Sequence, residues 1–274
     1  MVARELINGQ VGTAVSVHDR GLLYGDGLFE TVRVVGGMAP LWSRHLARLA
    51  GGCERLGLPA PGADVLSAEL RAVTEGMDTA VVRITLTRGE GARGYAPPVN
   101  PRPTRIVAAF PMPALDARAA REGIRMRVCD LRLAGQPRLA GLKHLNRLEQ
   151  VLARSEWSDP AIGEGLLLDA ADRVVCATMA NVFAVIGGVL VTPAVDRCGV
   201  DGVARAEVLA AHVPAQVRDV RLDELLDAGE VFLTSSVRGI LPVQAVGDKV
   251  FRPGPVTRAL QQHWRTLGFS LEQA

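Results

Sequence analysis

The sequence has no long hydrophobic run, few aromatic residues and almost no net charge, and each absence removes a class of function. No stretch of about 18 apolar residues occurs, so no membrane span is expected. The opening MVARELINGQ lacks the apolar core of a secretory signal. Lys and Arg number 31 against 29 Asp and Glu, a formal net charge of +2, which is too little for the electrostatic footprint of a nucleic-acid binder. The arginines are scattered, and aromatics make up only 4% of the chain, so platforms for stacking bases are not expected either. Four cysteines (Cys53, Cys129, Cys176, Cys198) lie far apart without metal-ligand spacing. No metal site is expected, and reduced thiols in a cytoplasmic protein are the simplest reading.

What is present is ordinary globular composition, 48% hydrophobic and 22% charged over 274 residues. That length suits one large domain or two medium ones. Short strands are predicted through Ile7, in VGTAVSVHD and in GLFETVRVV. A helix follows in which Leu41, His45, Leu49 and Cys53 recur at helical spacing, ended by Gly57 and Pro59. A second helix near 64–74 precedes two β runs, AVVRITLTRG and TRIVAAF. Two prolines and a run of small and polar residues mark 114–122 as a linker between an N-terminal α+β domain, 1–113, and a larger C-terminal one, 123–274. The second half mixes strands with helices at 146–157, 203–212 and 256–267. Two domains of this kind commonly hold a small molecule in the cleft between them.

Lys143, in AGLKHLNRLEQVL, precedes a helix whose Leu145, Leu148, Val151 and Leu152 share one face. A free lysine, with a pKa near 10.4, is a poor nucleophile at neutral pH, but burial or nearby positive charge lets it form an imine with a carbonyl cofactor. Taken alone, a solvated lysine is the commoner case. GVDGVAR places Val203 and Ala204 at the start of an Ala-rich helix, whose free N–H groups and positive dipole end suit a phosphate. The strand VFLT ends in Ser235 and Ser236, hydroxyls and amides in a turn that suit the same group, although an ordinary serine turn is the commoner case. Arg48, in the helical SRHLARL, offers a guanidinium that matches phosphate bidentately.

Together these pieces, from LINGQ through GDGLFETVRV, HLARL, RGYAP, KHLNRLEQVL, NVF, GVDGVAR and LPV, resemble the fold-type IV pyridoxal-phosphate family. That family holds branched-chain and D-amino acid aminotransferases and aminodeoxychorismate lyases, and KHLNRLEQVL with RGYAP resembles the lyases more. The resemblance implies the family's two-domain α+β fold with the cofactor in the interdomain cleft, and a homodimer. It implies Lys143 as Schiff-base lysine and general base, Arg48 as a phosphate ligand, and Val203, Ala204, Ser235 and Ser236 completing the phosphate site. In GLFETVRVV, alternation puts Phe29, Thr31 and Arg33 on one face and Glu30 and Val32 on the other. The resemblance turns the first face to the substrate, making Arg33 a carboxylate ligand and Thr31 a proton donor or orienter near the leaving group, though Thr31 suits a strand for its β-branching alone. Arg93, Tyr95 and Arg238 are further carboxylate candidates.

One departure stands out. Family members usually carry a glutamate five residues before the asparagine of the NVF-like motif, paired with the protonated pyridine nitrogen. Counting back from Asn181 gives Cys176, and no acidic residue lies between Asp172 and Asn181. A neutral thiol is a weaker partner than a carboxylate. The alternatives are that Cys176 contacts the ring, or that it fills the core while an acidic group from elsewhere reaches the nitrogen. The expected activity is conversion of 4-amino-4-deoxychorismate to 4-aminobenzoate and pyruvate. The rival readings are an aminotransferase on the same scaffold and a non-catalytic cofactor-binding protein.

Overall fold

The computed structural model describes residues 4–211 and 214–269. The chain divides into two compact units, Met1–Pro113 with Lys143–Asn146, and Ala114–Leu142 with Arg147–Ala274.

The first unit contains β1 (Arg4–Ile7), β2 (Gln10–Val11), α1 (Arg20–Tyr24), β3 (Gly27–Val35), α2 (Trp42–Leu56), α3 (Ala63–Thr74), β4 (Thr79–Thr87) and β5 (Thr104–Pro111). Its strands form one antiparallel sheet in the order β2-β1-β5-β4-β3. Asn8 and Gly9 both take positive φ, so β1 and β2 close through the tight two-residue turn that an Asn-Gly pair favours. One sheet face is covered by α2 and α3. Leu28, Val32 and Val34 of β3 pack there with Leu49 and Cys53 of α2 and Leu66 and Leu70 of α3. Gly57 ends α2 at φ +60°, its N–H donating to the carbonyls of Cys53 and Glu54.

The predicted strand VGTAVSVHD is a strand only at its first position. Val11, Val15 and Val17 are exposed, so the alternation has no layer to bury against. Asp19 instead caps α1, accepting from the Gly21 N–H (2.7 Å) and from the Thr87 and Thr104 hydroxyls.

The second unit contains α4 (Ala117–Glu122), β6 (Ile124–Leu133), α5 (Leu148–Arg154), β7 (Ile162–Asp169), β8 (Val174–Ala177), β9 (Asn181–Ile186), β10 (Val189–Pro193), α6 (Val203–Ala211), β11 (Ala215–Arg218), α7 (Leu222–Leu226), β12 (Glu230–Ser235), β13 (Gly239–Val246), β14 (Lys249–Val250) and α8 (Pro255–Thr266). Its mixed sheet runs β11-β10-β9-β12-β13-β6-β7-β8, with β14 paired to β13. Strand β7 feeds two cores. Leu166 and Leu168 pack with Val182, Val231 and Val243, and Leu167 packs with Cys129, Trp157, Cys176 and Cys198.

Residues 114–122 are not an open connector. Asp116 caps α4, which packs on β13 and is fastened to α8 where Gln261 donates to the Ala120 carbonyl (2.8 Å). The helix expected over 146–157 is α5 alone. Asn146 is drawn off by its side-chain amide, which donates to the Gly25 carbonyl (3.1 Å). The helix expected over 203–212 is α6, with His212 outside the described residues. Among the described residues no helix is long and apolar enough to cross a membrane, and no group of His, Cys, Asp and Glu could hold a metal.

Because Leu168 is fully buried in the larger core, Leu168→Ala is expected to cost roughly 2–5 kcal/mol. Val17→Ala, at an exposed position, should stay within about 0.5 kcal/mol. Urea unfolding of both variants checks this, and equal midpoint shifts would contradict the assigned core.

Candidate active site

Lys143 is held by its backbone before its side chain does anything. The Phe29 N–H donates to the Lys143 carbonyl (2.9 Å) and the Leu145 N–H to the Gly27 carbonyl (3.0 Å), so residues 143–145 pair with β3 through a single antiparallel bridge between His144 and Leu28. The Lys143 Nζ lies 4.2 Å from the Phe29 ring centroid. The Arg83 guanidinium, on β4 directly opposite Thr31, lies at the same distance from that ring. Thr31 and Arg33 follow on the same face of β3, Arg33 almost wholly buried, where the loss of water disfavours its charge.

The opposite face of β3 carries Glu30, 2% exposed, and this carboxylate organises α2. It accepts from Arg48 through Nε (2.8 Å) and Nη2 (2.5 Å) and contacts His45 Nδ1 at 2.6 Å. Burial works against the charge on Glu30, but the hydrogen bonds from His45 and Arg48 outweigh it and hold the carboxyl at about 2. Since a carboxylate only accepts, His45 carries its proton on Nδ1. Burial pushes His45 below its ordinary range, with Arg48 and Lys143 adding to the effect and Glu30 opposing it, so the ring is neutral at pH 7.

Arg93 and Tyr95 sit in the exposed loop between β4 and β5, Tyr95 at 86% exposure.

In the second unit, Val203 and Ala204 open α6, and the first intrahelical bond into its start comes from the Ala206 N–H to the Gly202 carbonyl. The amides of Val203, Ala204 and Arg205 ahead of it therefore have no helical acceptor. Gly202 has no room for a Cβ, which would run into Asn181 Oδ1. Asn181 donates to the Val200 carbonyl (2.8 Å) and sits opposite Thr234 on β12. Thr234 Oγ1 is buried without a partner. Ser235 and Ser236 follow directly, Ser235 Oγ accepting from the Arg238 N–H (3.1 Å). Arg238 reaches Glu164 at 3.4 Å, and with Ser235, Ala180 and Leu241 it lines a shallow hollow.

Cys176 is buried on β8, opposite Leu167. Burial, reinforced by Cys198, pushes its thiol up to about 12, so it is neutral at physiological pH. Among the described residues, the buried acids of this unit are all engaged. Glu164 is bonded by Thr178 and Arg238, Asp169 by Arg173, and Glu230 caps α8 through Val256 and Thr257. Glu164 also sits one residue out of step with Gly165 and Leu167, so it points to the sheet face opposite the Cys176 cluster.

The Amino-transferase class IV family model matches residues 27–246. The chain belongs to the class IV aminotransferase family. Aminodeoxychorismate lyase of Vibrio harveyi is 34% identical over 268 residues, covering 95% of this chain and 99% of the relative. The crystal structure of 4-amino-4-deoxychorismate lyase from Pseudomonas aeruginosa is 48% identical with a TM-score of 0.91, covering 96% of this chain and 98% of that one. Branched-chain amino acid aminotransferase of Escherichia coli is 26% identical with a TM-score of 0.84, over 96% and 94% of the two chains. The α+β fold-type IV expectation therefore holds. Pyridoxal phosphate is the family's cofactor, and this chain's residues fit it. There is a lysine amine on an aromatic face, a set of free amides beside a glycine that leaves no room for a side chain, and an unpartnered buried hydroxyl next to two serines.

Sequence reasoning passed over Glu30, His45 and Arg83. The signals were there: Glu30 interrupts the inward apolar positions Leu28 and Val32, and His45 interrupts the stripe of Leu41, Leu49 and Cys53. A simpler signal was also missed. The chain has two lysines, and Lys249 is half-exposed beside Asp227 on β14, which leaves Lys143.

Glu30 gives a pH prediction. Its carboxyl falls from 4.5 to about 2 on folding, so the stabilisation is complete above 4.5, drains as pH falls, and is gone below about 2. Glu30→Gln should cost on the order of 3–5 kcal/mol at neutral pH by stranding Arg48, and should flatten the stability profile between those two pH values. Denaturant unfolding across a pH series reads both effects.

Proposed function

We propose that this chain is a pyridoxal-phosphate-dependent lyase that converts 4-amino-4-deoxychorismate to 4-aminobenzoate and pyruvate, supplying 4-aminobenzoate for folate synthesis. The observation that carries the reading is the coincidence of whole-chain similarity to two lyases, at 34% and 48% identity, with a lysine amine fastened beside the Phe29 ring. Lys143 holds the cofactor. Arg48, the amides of Val203 and Ala204, and Ser235 and Ser236 hold its phosphate.

When bound, the cofactor supplies a carbonyl that captures the substrate's amine and a ring that accepts an electron pair. The chain's own groups do the rest. The Lys143 amine, once released, takes the proton from the ring carbon bearing nitrogen. Arg33 and Arg93 bind the substrate's carboxylates, with Phe29 and Tyr95 flanking them and Arg238 a further carboxylate ligand. Thr31 orients the leaving enolpyruvyl group, which departs with the electron pair of its carbon–oxygen bond and gains a proton to become pyruvate.

Cys176 stands against the ring nitrogen as a neutral thiol. A weak electron sink suffices here because aromatisation of the product drives the elimination. Cys176→Glu is expected to leave lyase turnover within about threefold, and a strong rise in steady-state turnover would refute this account.

The working unit is a homodimer. Leu148, Val151 and Leu152 lie exposed on one face of α5, an apolar stripe that a second copy would cover. The compartment is the cytoplasm, which suits four buried free thiols.

The decisive assay incubates the protein with pyridoxal phosphate and aminodeoxychorismate without any keto acid. Equimolar 4-aminobenzoate and pyruvate are expected, falling at least about 10³-fold in Lys143→Ala. No product, together with amino transfer once a keto acid is supplied, would instead mark an aminotransferase.

A further inference from the structure

The loop from Arg88 to Pro97, RGEGARGYAP, presents Arg93 and Tyr95 to solvent, yet its backbone is tied down from inside the first unit by one buried side chain. Arg20, 4% exposed, donates from Nη1 to the carbonyls of Gly94 (3.0 Å) and Ala96 (3.3 Å) and from Nη2 to that of Tyr95 (3.0 Å). Three successive carbonyls are thereby gathered on one guanidinium. Its Nε donates to Asp26 (2.9 Å), a carboxylate that also accepts from Arg88 (2.8 Å). Arg88 in turn donates to the carbonyls of Leu56 and Gly57 at the end of α2.

Neighbouring contacts close the clamp. The Arg20 guanidinium lies 4.9 Å from the Tyr24 ring centroid, Tyr24 Oη accepts from the Gly94 N–H (3.2 Å), and the rings of Tyr24 and Tyr95 pack at 5.4 Å. On the other side of Arg93, the Arg20 N–H donates to the Gly89 carbonyl (2.9 Å). Gly91 lies so close that a Cβ there would come within 2.9 Å of Arg20 Cδ. The backbone on both sides of Arg93 is thus fixed, while its side chain is exposed. A cation on a rigid backbone loses less freedom on meeting an anion than one on a loose loop.

We propose that Arg20 is the positioning residue of the substrate loop, holding residues 94–96 so that Arg93 presents its guanidinium to a substrate carboxylate in one arrangement. The proposal rests on the reading of Arg93 as a carboxylate ligand. Lysine cannot replace Arg20, because one ammonium on a flexible stem does not span three carbonyls and Asp26 together.

The test is a double-mutant cycle with Arg20→Lys and Arg93→Ala in the holoenzyme. Arg20→Lys should raise KM for aminodeoxychorismate about tenfold with kcat within about twofold, and should weaken 4-aminobenzoate binding in calorimetry. In the Arg93→Ala background the same change should add no further increase in KM. Hydrogen exchange of amides 92–96 should quicken while β3 and β4 stay protected. Tyr24→Phe, which removes only the acceptor for Gly94, should act in the same direction but less, and serves if Arg20→Lys unfolds. Multiplying KM effects in the double mutant, or a fall in melting temperature with KM unmoved, would overturn the positioning role while leaving Arg93 as a ligand. An unchanged KM in Arg93→Ala would overturn both.

Discussion

A carboxylate buried between a strand and a helix holds the candidate residues of the first unit in place. Glu30 points from β3 toward α2, where Arg48 grips it with two donors and His45 with a third. Three polar groups in a core would each be expensive if left alone, and together they satisfy one another. Because β3 also carries Phe29, Thr31 and Arg33 on its other face and pairs with the lysine segment, fixing this strand against α2 also fixes that face. The arginine expected to meet a phosphate is therefore oriented before any ligand arrives.

The second unit answers the same need by backbone geometry. Its proposed anion cradle is a helix start whose first amides follow a glycine that leaves no space for a side chain, next to a hydroxyl without a partner. Asn181 joins these parts, since it bonds the loop ahead of α6 and lies opposite Thr234. That gives the NVF motif a structural reason independent of any chemistry on its own side chain.

In the proposed site, the buried thiol at position 176 is what would separate this chain from a strong-sink enzyme of the same family. Among the described residues, the buried acids of its unit, Glu164, Asp169 and Glu230, are each engaged elsewhere. A reaction whose product gains aromatic stabilisation tolerates that weakness better than reversible amino transfer does, so the departure at Cys176 and the lyase reading agree with each other. Fold by itself would not have distinguished the two activities.

Much of this was legible along the chain. The 3.6-residue stripe of α2, the alternation of β3 and the Gly-initiated α6 are local patterns, and the motifs around Lys143 and Asn181 identified the family before any geometry was known. By itself, then, the sequence determined the family and the fold class, because each rests on short-range periodicity or on motifs. The tertiary structure decided what depends on residues far apart. It left VGTAVSVHD without a strand beyond Val11 because nothing covers its valines, and folded Ala117–Glu122 of the expected linker into α4 because β13 and α8 give it a surface to pack on. It moved residues 143–146 into the first unit through pairing with β3, and paired Arg48 with Glu30, 18 positions away. It also set Arg20 under a loop more than seventy residues downstream. A charged residue in a sequence does not show which partner will meet it, since that choice is made only when packing removes the water between them.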